Sequence, residues 1–183
     1  MTKTFLCEFF SVKGVFTLRS CVFMGLMAAI SVILGIFGTI HITSTFRAIS
    51  VAYIPGAIVA MLFGPWAALT FGFVADMVKF IVSPRGAYFP GYSLSEMLHY
   101  FILACFFYKQ KINIWRCLIS RLLVIIFIYF SLNFLWQSIM FGTASATYFT
   151  GVRIINNLVQ WPFHSILMLI VCKQVLRLNL HIK

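Results

Sequence analysis

Apolar positions in this chain come in long runs divided by short polar clusters. From Leu18 to Ile40 the run is almost unbroken, and H-I-T-S-T-F-R (His41 to Arg47) ends it. A membrane-crossing helix needs about 20 mainly apolar residues. On that measure the pattern predicts six helices, over 18–40, 48–63, 66–82, 94–108, 118–141 and 154–174. The second is short and holds Pro55 and Gly56, which predicts a kinked or tilted helix. Gly64-Pro65 then turns the chain tightly into the third. The first run is too long for a signal-peptide core and lacks a cleavage-site pattern, so it is expected to be retained.

The stretch from Ser83 to Glu96, S-P-R-G-A-Y-F-P-G-Y-S-L-S-E, interrupts this rhythm. Pro84 and Pro90 have no amide donor, and Gly86 and Gly91 permit tight turns, so it is expected to lie outside helix interiors. Tyr88, Phe89 and Tyr92 give it rigid apolar surface. Two readings fit: an ordered loop closing over a ligand, or an interfacial connection with its aromatics at headgroup level.

Composition sharpens the class. Of 183 residues, 62% are hydrophobic and 9% charged, against roughly 25% charged in soluble domains. The expected fold is therefore an all-α integral membrane protein, a compact six-helix bundle forming one membrane domain over 1–183. The net charge of +11 would suggest nucleic acid in a soluble chain, but the basic residues are scattered singly. If the N-terminus is cytoplasmic, ten cations fall inside: Lys3, Lys13, Arg19, Lys109, Lys111, Arg116, Arg121, Lys173, Arg177 and Lys183. Four fall outside: Arg47, Lys79, Arg85 and Arg153. That asymmetry follows the positive-inside rule and predicts cytoplasmic termini. The five cysteines form no C-x-x-C pair and read as reduced, structural residues.

The four outer cations carry the first chemical hint. Each lies near the outer end of a different helix or in the adjoining loop, and convergence on one outward-facing cavity would favour a carboxylate or phosphate. The competing reading has each one snorkelling to lipid phosphate. On the sixth helix, Arg153, Asn157, Gln160 and His164 recur at spacings that put them on one face. A polar stripe in a membrane is expected to face protein or a cavity. Asp76 and Lys79 stand three residues apart on the third helix and are able to pair. Asn133 and Gln137 on the fifth read as helix-to-helix hydrogen bonding. Glu96 and His99 are the nearest thing to an acid–base pair, without a nucleophile or metal partner beside them. His41, His99, His164 and His181 lack zinc-site spacing. No hydrolase or phosphate-cradling motif occurs, so catalysis and ATP hydrolysis are not expected of this chain. On the first helix, Gly25, Ala28 and Ala29 let another helix approach closely. They serve either packing within the bundle or docking of a partner.

Several motifs together resemble the FolT family, the folate-specific S components (substrate-binding subunits) of energy-coupling factor (ECF) transporters. They are L-F-G-P-W after the second helix, G-F-V-A-D-M-V-K-F in the third, P-R-G-A-Y-F-P-G-Y-S-L-S-E after it, and R-I-I-N-N-L-V-Q-W-P in the sixth. The likeness extends over residues 18 to 176. It implies a six-helix bundle in the cell membrane of a Gram-positive bacterium, binding folate from outside without a cofactor. It also implies partners, a transmembrane coupling subunit and two ABC-type ATPases, and a toppling motion that carries the site inward. The family's A-x-x-x-A docking motif is matched by Gly25-x-x-x-Ala29. Folate is a flat pterin joined through an aromatic spacer to a glutamate. Chemistry then assigns Tyr88, Phe89, Tyr92 and Trp161 to the rings, Asp76, Asn157 and Gln160 to the pterin edge, and Arg47, Lys79, Arg85 and Arg153 to the carboxylates. Gly91, beside Pro90, is expected to fix the shape of a lid. The alternatives are an S component for another vitamin, a stand-alone secondary transporter and an intramembrane enzyme. The short chain, without a repeat and with few buried acids, argues against the second.

Overall fold

A computed structural model describes residues 17–37, 39–41, 47–84 and 88–177, the side chains of 39–41, 47–50, 144–146, 148–150 and 152–155 excepted. Six helices run through the described residues. They are α1 (Leu18–Phe37), α2 (Ile54–Phe63), α3 (Pro65–Val82), α4 (Pro90–Phe107), α5 (Ile114–Phe141) and α6 (Thr143–Arg177). Strands β1 (Thr39–His41) and β2 (Arg47–Ser50) pair antiparallel between α1 and α2, with Thr39 opposite Ser50. Among the described residues the regular structure is thus helical but for one short strand pair.

Among the described residues, four helical stretches are long and apolar enough to cross a membrane: Leu18–Phe37, Pro65–Val82, Ile114–Phe141 and Asn156–Arg177. Large apolar side chains such as Ile81, Phe127, Phe130, Ile139 and Val159 are exposed on the bundle's outside. In water such a surface would aggregate; in lipid it costs nothing. The core inside is made of small residues and flat rings, including Ala57, Ala60, Ala67, Ala68, Ala75, Phe71, Tyr100 and Phe107. Small residues bring backbones together. A Cβ on Gly72 would lie 2.8 Å from Met97 Cα and 2.9 Å from the Glu96 carbonyl oxygen, so α3 and α4 touch backbone to backbone there.

Proline and glycine decide where several helices begin, and here the boundaries depart from the sequence pattern. The expected helix over 48–63 is cut to Ile54–Phe63, because its first residues pair as β2. Pro55 occupies the first turn of α2, where its missing amide is harmless, and so opens the helix rather than kinking it. At about 15 Å, α2 spans half a bilayer. Gly64, at φ 88°, makes the expected turn into α3, which Pro65 opens. Pro90 likewise opens α4, so Pro90 to Glu96 is helix and the connection after Ser83 is shorter than expected. Asn113 caps α5 by accepting the Ile114 amide at 2.7 Å, which starts that helix before residue 118. The polar run after Gly142, read as a loop, is the first part of α6, whose 35 residues extend about 52 Å.

The middle of α5 is unusual. Ile114–Val124 and Asn133–Phe141 are α-helical, while Ile125–Leu132 is π-helical. Buried residues on α5 include Arg121, Val124, Ile125, Ile128, Asn133 and Gln137. Twelve residues of α-helix would leave Asn133 about 120° around the axis from Arg121. The wider i→i+5 turns absorb that difference and keep both on the inner face.

Candidate ligand-binding site

The first three polar members of the site come from α3, α4 and the segment between them. Ser93, in the first turns of α4, donates its hydroxyl proton to Asp76 Oδ2 of α3 at 2.5 Å. That length is usual for a hydroxyl on a carboxylate. Tyr88 lies 2.7 Å from the same Ser93 oxygen. Since Ser93 has one proton and spends it on Asp76, Tyr88 is the donor. The relay Tyr88 O–H to Ser93 O–H to Asp76 ties the inter-helix segment to both helices. The Tyr88 ring also packs on Phe80 at 5.1 Å.

An aromatic cluster continues from it. Phe89 meets Tyr92 edge-on at 6.0 Å and Trp136 of α5 at 5.6 Å. The Trp136 indole donates to Ser95 Oγ at 3.1 Å, and Ser95 donates to the Gly91 carbonyl at 3.2 Å. Gly91 is required here: a Cβ would collide with the Phe89 and Trp136 rings. Phe89, Gly91, Tyr92 and Trp136 therefore form one rigid unit with the start of α4.

Further in, the lining turns polar. Lys79 is half-buried, with Tyr100, Glu96, Asp76 and Tyr129 as its electrostatic neighbours. Asn133 is buried with Oδ1 unpartnered, and Gln137 is buried one turn beyond. His99 stacks on Tyr100 at 5.0 Å and meets Tyr129 edge-on at 6.4 Å. At the inner end Arg121 bonds His99 Nε2 at 3.3 Å and His164 Nδ1 at 2.9 Å. Its guanidinium lies 4.7 Å over the Tyr53 ring, and the Tyr53 hydroxyl donates to the His164 carbonyl at 3.0 Å.

Of the residues expected from the sequence, Asp76, Lys79, Tyr88, Phe89, Gly91 and Tyr92 are brought to this one region. Asn157 and Gln160 are half-buried on α6, on the face that ends at His164. Trp161 lies elsewhere. Its indole donates to the Leu118 carbonyl at 2.9 Å, eighteen residues and on the order of 25 Å along α5 from Trp136. Trp136 is the tryptophan that meets Phe89. Arg85 lies outside the described residues, as do the side chains of Arg47, in β2, and Arg153, in α6. Gly25 and Ala29 face outward on α1, with nothing within 4 Å of a Cβ on Gly25, whereas Ala28 is buried in the core and is no part of an outer face. Arg121, counted as an inner-surface cation, is 2% exposed inside the bundle. Ser93, Trp136 and Arg121 escaped the sequence reading. A serine or a tryptophan in an apolar helix carries no spacing signal, and a single arginine near a helix end looks like a topology determinant.

The chain matches the family described as ECF transporter, substrate-specific component, over residues 19–172. It belongs to that family. The folate transporter FolT of Clostridium novyi (strain NT) is 30% identical over 159 residues, covering 87% of this chain and 91% of that protein. FolT of Leuconostoc mesenteroides is 26% identical over 119 residues, 62% of this chain and 64% of its own. A crystal structure of FolT bound with folic acid superposes with a TM-score of 0.76 at 29% identity, covering 86% of this chain and 95% of that one. This ECF substrate-specific component is thus a multi-pass membrane protein of a transporter family and a relative of folate transporters along nearly its whole length.

Proposed function

We propose that this protein is the folate-binding subunit of an ATP-driven ECF importer, capturing folate outside the cell and passing it inward. The observation that carries this reading is the near-full-length likeness to FolT bound with folic acid, on a chain that assembles an aromatic cluster beside a carboxylate. Phe89, Tyr92 and Trp136 supply flat apolar surface for a conjugated ring system. Asp76 spends Oδ2 on Ser93, leaving Oδ1 to accept from an aminopyrimidine edge. Asn157 and Gln160 of α6 and Asn133 of α5 add candidate donors and acceptors. Lys79, with Arg47, Arg85 and Arg153, supplies positive charge for the glutamate carboxylates.

In this reading the bundle crosses the membrane six times as one domain with both termini cytoplasmic, the β1–β2 pair completing the outer half above α2. It sits in the cell membrane of a Gram-positive bacterium, as the Clostridium and Leuconostoc relatives suggest. The chain offers no ATPase motif, so energy comes from a transmembrane coupling subunit and two ABC-type ATPases. Gly25 and Ala29 mark the outward face of α1 on which the coupling subunit docks.

Titration of the purified protein with folate, riboflavin, thiamine and biotin, followed by thermal unfolding, tests the reading. Folate alone is expected to raise the melting temperature and to bind with one-to-one stoichiometry. A shift with another vitamin and none with folate would reassign the substrate.

A further inference from the structure

Arg121 has more donors than the bundle has acceptors for them. A guanidinium carries five N–H groups and no acceptor. Arg121 bonds two ring nitrogens, His99 Nε2 and His164 Nδ1, and its Nε is buried without a partner. Because arginine only donates, both of those nitrogens must present lone pairs. His99 is then the neutral Nδ1–H tautomer and His164 the neutral Nε2–H tautomer. His164 Nε2 is also buried and unpartnered, so it too is an orphaned donor. Every orphan at this place is an N–H, and one belongs to a fixed cation.

Among the described residues no acid supplies compensating charge either. The chain has three acids. Asp76 bonds Ser93, Glu96 is a neighbour of Lys79, and Glu8 lies outside the described residues. Neither Asp76 nor Glu96 bonds Arg121. A buried cation held only by neutral imidazoles is strongly unfavourable unless an acceptor meets it. The Tyr53 ring covers one face of the guanidinium, and its Nε–H on the edge has no partner among the described residues. An edge of parallel N–H groups fits a carboxylate in particular. The position is also telling. His99 follows Ser95, the partner of Trp136, by one helical turn, and His164 follows Gln160 by one turn on the polar face of α6. Arg121 closes the inner end of the site just described.

We propose that Arg121, held by His99 and His164, forms a buried carboxylate-binding point at the inner end of the ligand site. The carboxylate comes from the bound ligand or from a small free anion. The first source rests on the folate reading with the glutamate turned inward, in place of its outward position beside Lys79, Arg47, Arg85 and Arg153; the second rests on neither and leaves the glutamate to those outer cations.

The experiment compares folate, its uncharged glutamate dimethyl ester and formate on the purified protein and on Arg121→Gln, at constant ionic strength. Wild-type protein is expected to prefer folate over the ester by about tenfold, the ratio that one charge-assisted hydrogen bond supplies. Arg121→Gln is expected to erase that preference while binding the ester nearly as wild type does. A preference that survives in Arg121→Gln overturns the ligand as the source. The formate arm needs no variant, so it stands even if Arg121→Gln does not fold. Formate that competes with folate but not with the ester assigns the point to the ligand's carboxylate. Formate that raises the wild-type melting temperature without competing assigns it to a free anion. Formate without either effect overturns the site, with water then filling the unmet donors. If neither folate nor the ester binds, the folate reading fails by itself and formate still decides the anion site.

Discussion

Replacing Ser93 by alanine removes one hydroxyl and breaks two hydrogen bonds, the one it gives Asp76 and the one it accepts from Tyr88. The bond to Asp76 engages a carboxylate, and such bonds contribute about 1.5–3 kcal/mol, against about 1 kcal/mol for a neutral pair. Asp76 is only half-buried, so water re-solvates part of it and the lower end applies. The total is about 2 kcal/mol. Tyr88→Phe removes only the outer bond and leaves Ser93 on Asp76, which costs about 0.5–1 kcal/mol. Both bonds exist without ligand, so their loss lowers the stability of the empty protein. It also moves the ordering of the Tyr88–Phe89 segment into the binding step, where it weakens affinity. At about 1.4 kcal/mol per factor of ten, and to the extent that this ordering cost moves into binding, Ser93→Ala should weaken folate binding by up to about thirtyfold and Tyr88→Phe by up to about fivefold. Fluorescence titration with folate and thermal unfolding of the ligand-free protein in detergent measure the two effects. A larger loss from Tyr88→Phe than from Ser93→Ala would refute the relay and make the phenol a direct ligand contact. Unchanged unfolding and affinity in Ser93→Ala would refute it too.

Three further changes probe other parts of the molecule. Gly72→Val puts a branched side chain where backbone atoms stand 2.8–2.9 Å away; it should cost about 1–3 kcal/mol or more by overpacking, and a wild-type melting temperature would contradict the close approach of α3 and α4. Arg85→Ala combined with Arg153→Ala should weaken folate binding by about tenfold or more, as loss of charge-assisted bonds implies; unchanged affinity removes both residues from carboxylate binding. Gly25→Leu with Ala29→Leu should leave folate binding by the isolated protein intact, because both positions face outward. Co-purification with the coupling subunit should be lost, and its survival would move the docking face off α1.

The membrane as solvent, the six helices and several of the residues gathered in the candidate site were legible in the chain alone. An apolar run is a sum over neighbouring residues, so the membrane class and six helices follow from local composition. The Asp76/Lys79 pair and the aromatics Tyr88, Phe89 and Tyr92 were also visible, since they stand out chemically from the apolar stretches beside them. Helix ends were less legible. Pro55 and Pro90 look the same in sequence whether they kink a helix or open one, and only the β1–β2 pairing and the packing of α4 decide it. The partners of the site were not legible at all. Whether Ser93 points at Asp76, whether Trp136 rather than Trp161 joins Phe89, and whether Arg121 faces cytoplasm or core all depend on which faces of separate helices meet. The π segment Ile125–Leu132 adds a rotation within α5 that a 3.6-residue period does not contain. Arg121 shows the difference most directly: near a helix end in sequence it is one more positive-inside charge. Three helices and Tyr53 make it a buried cation with unmet donors, because contacts between helices are long-range in the chain and no local pattern records them.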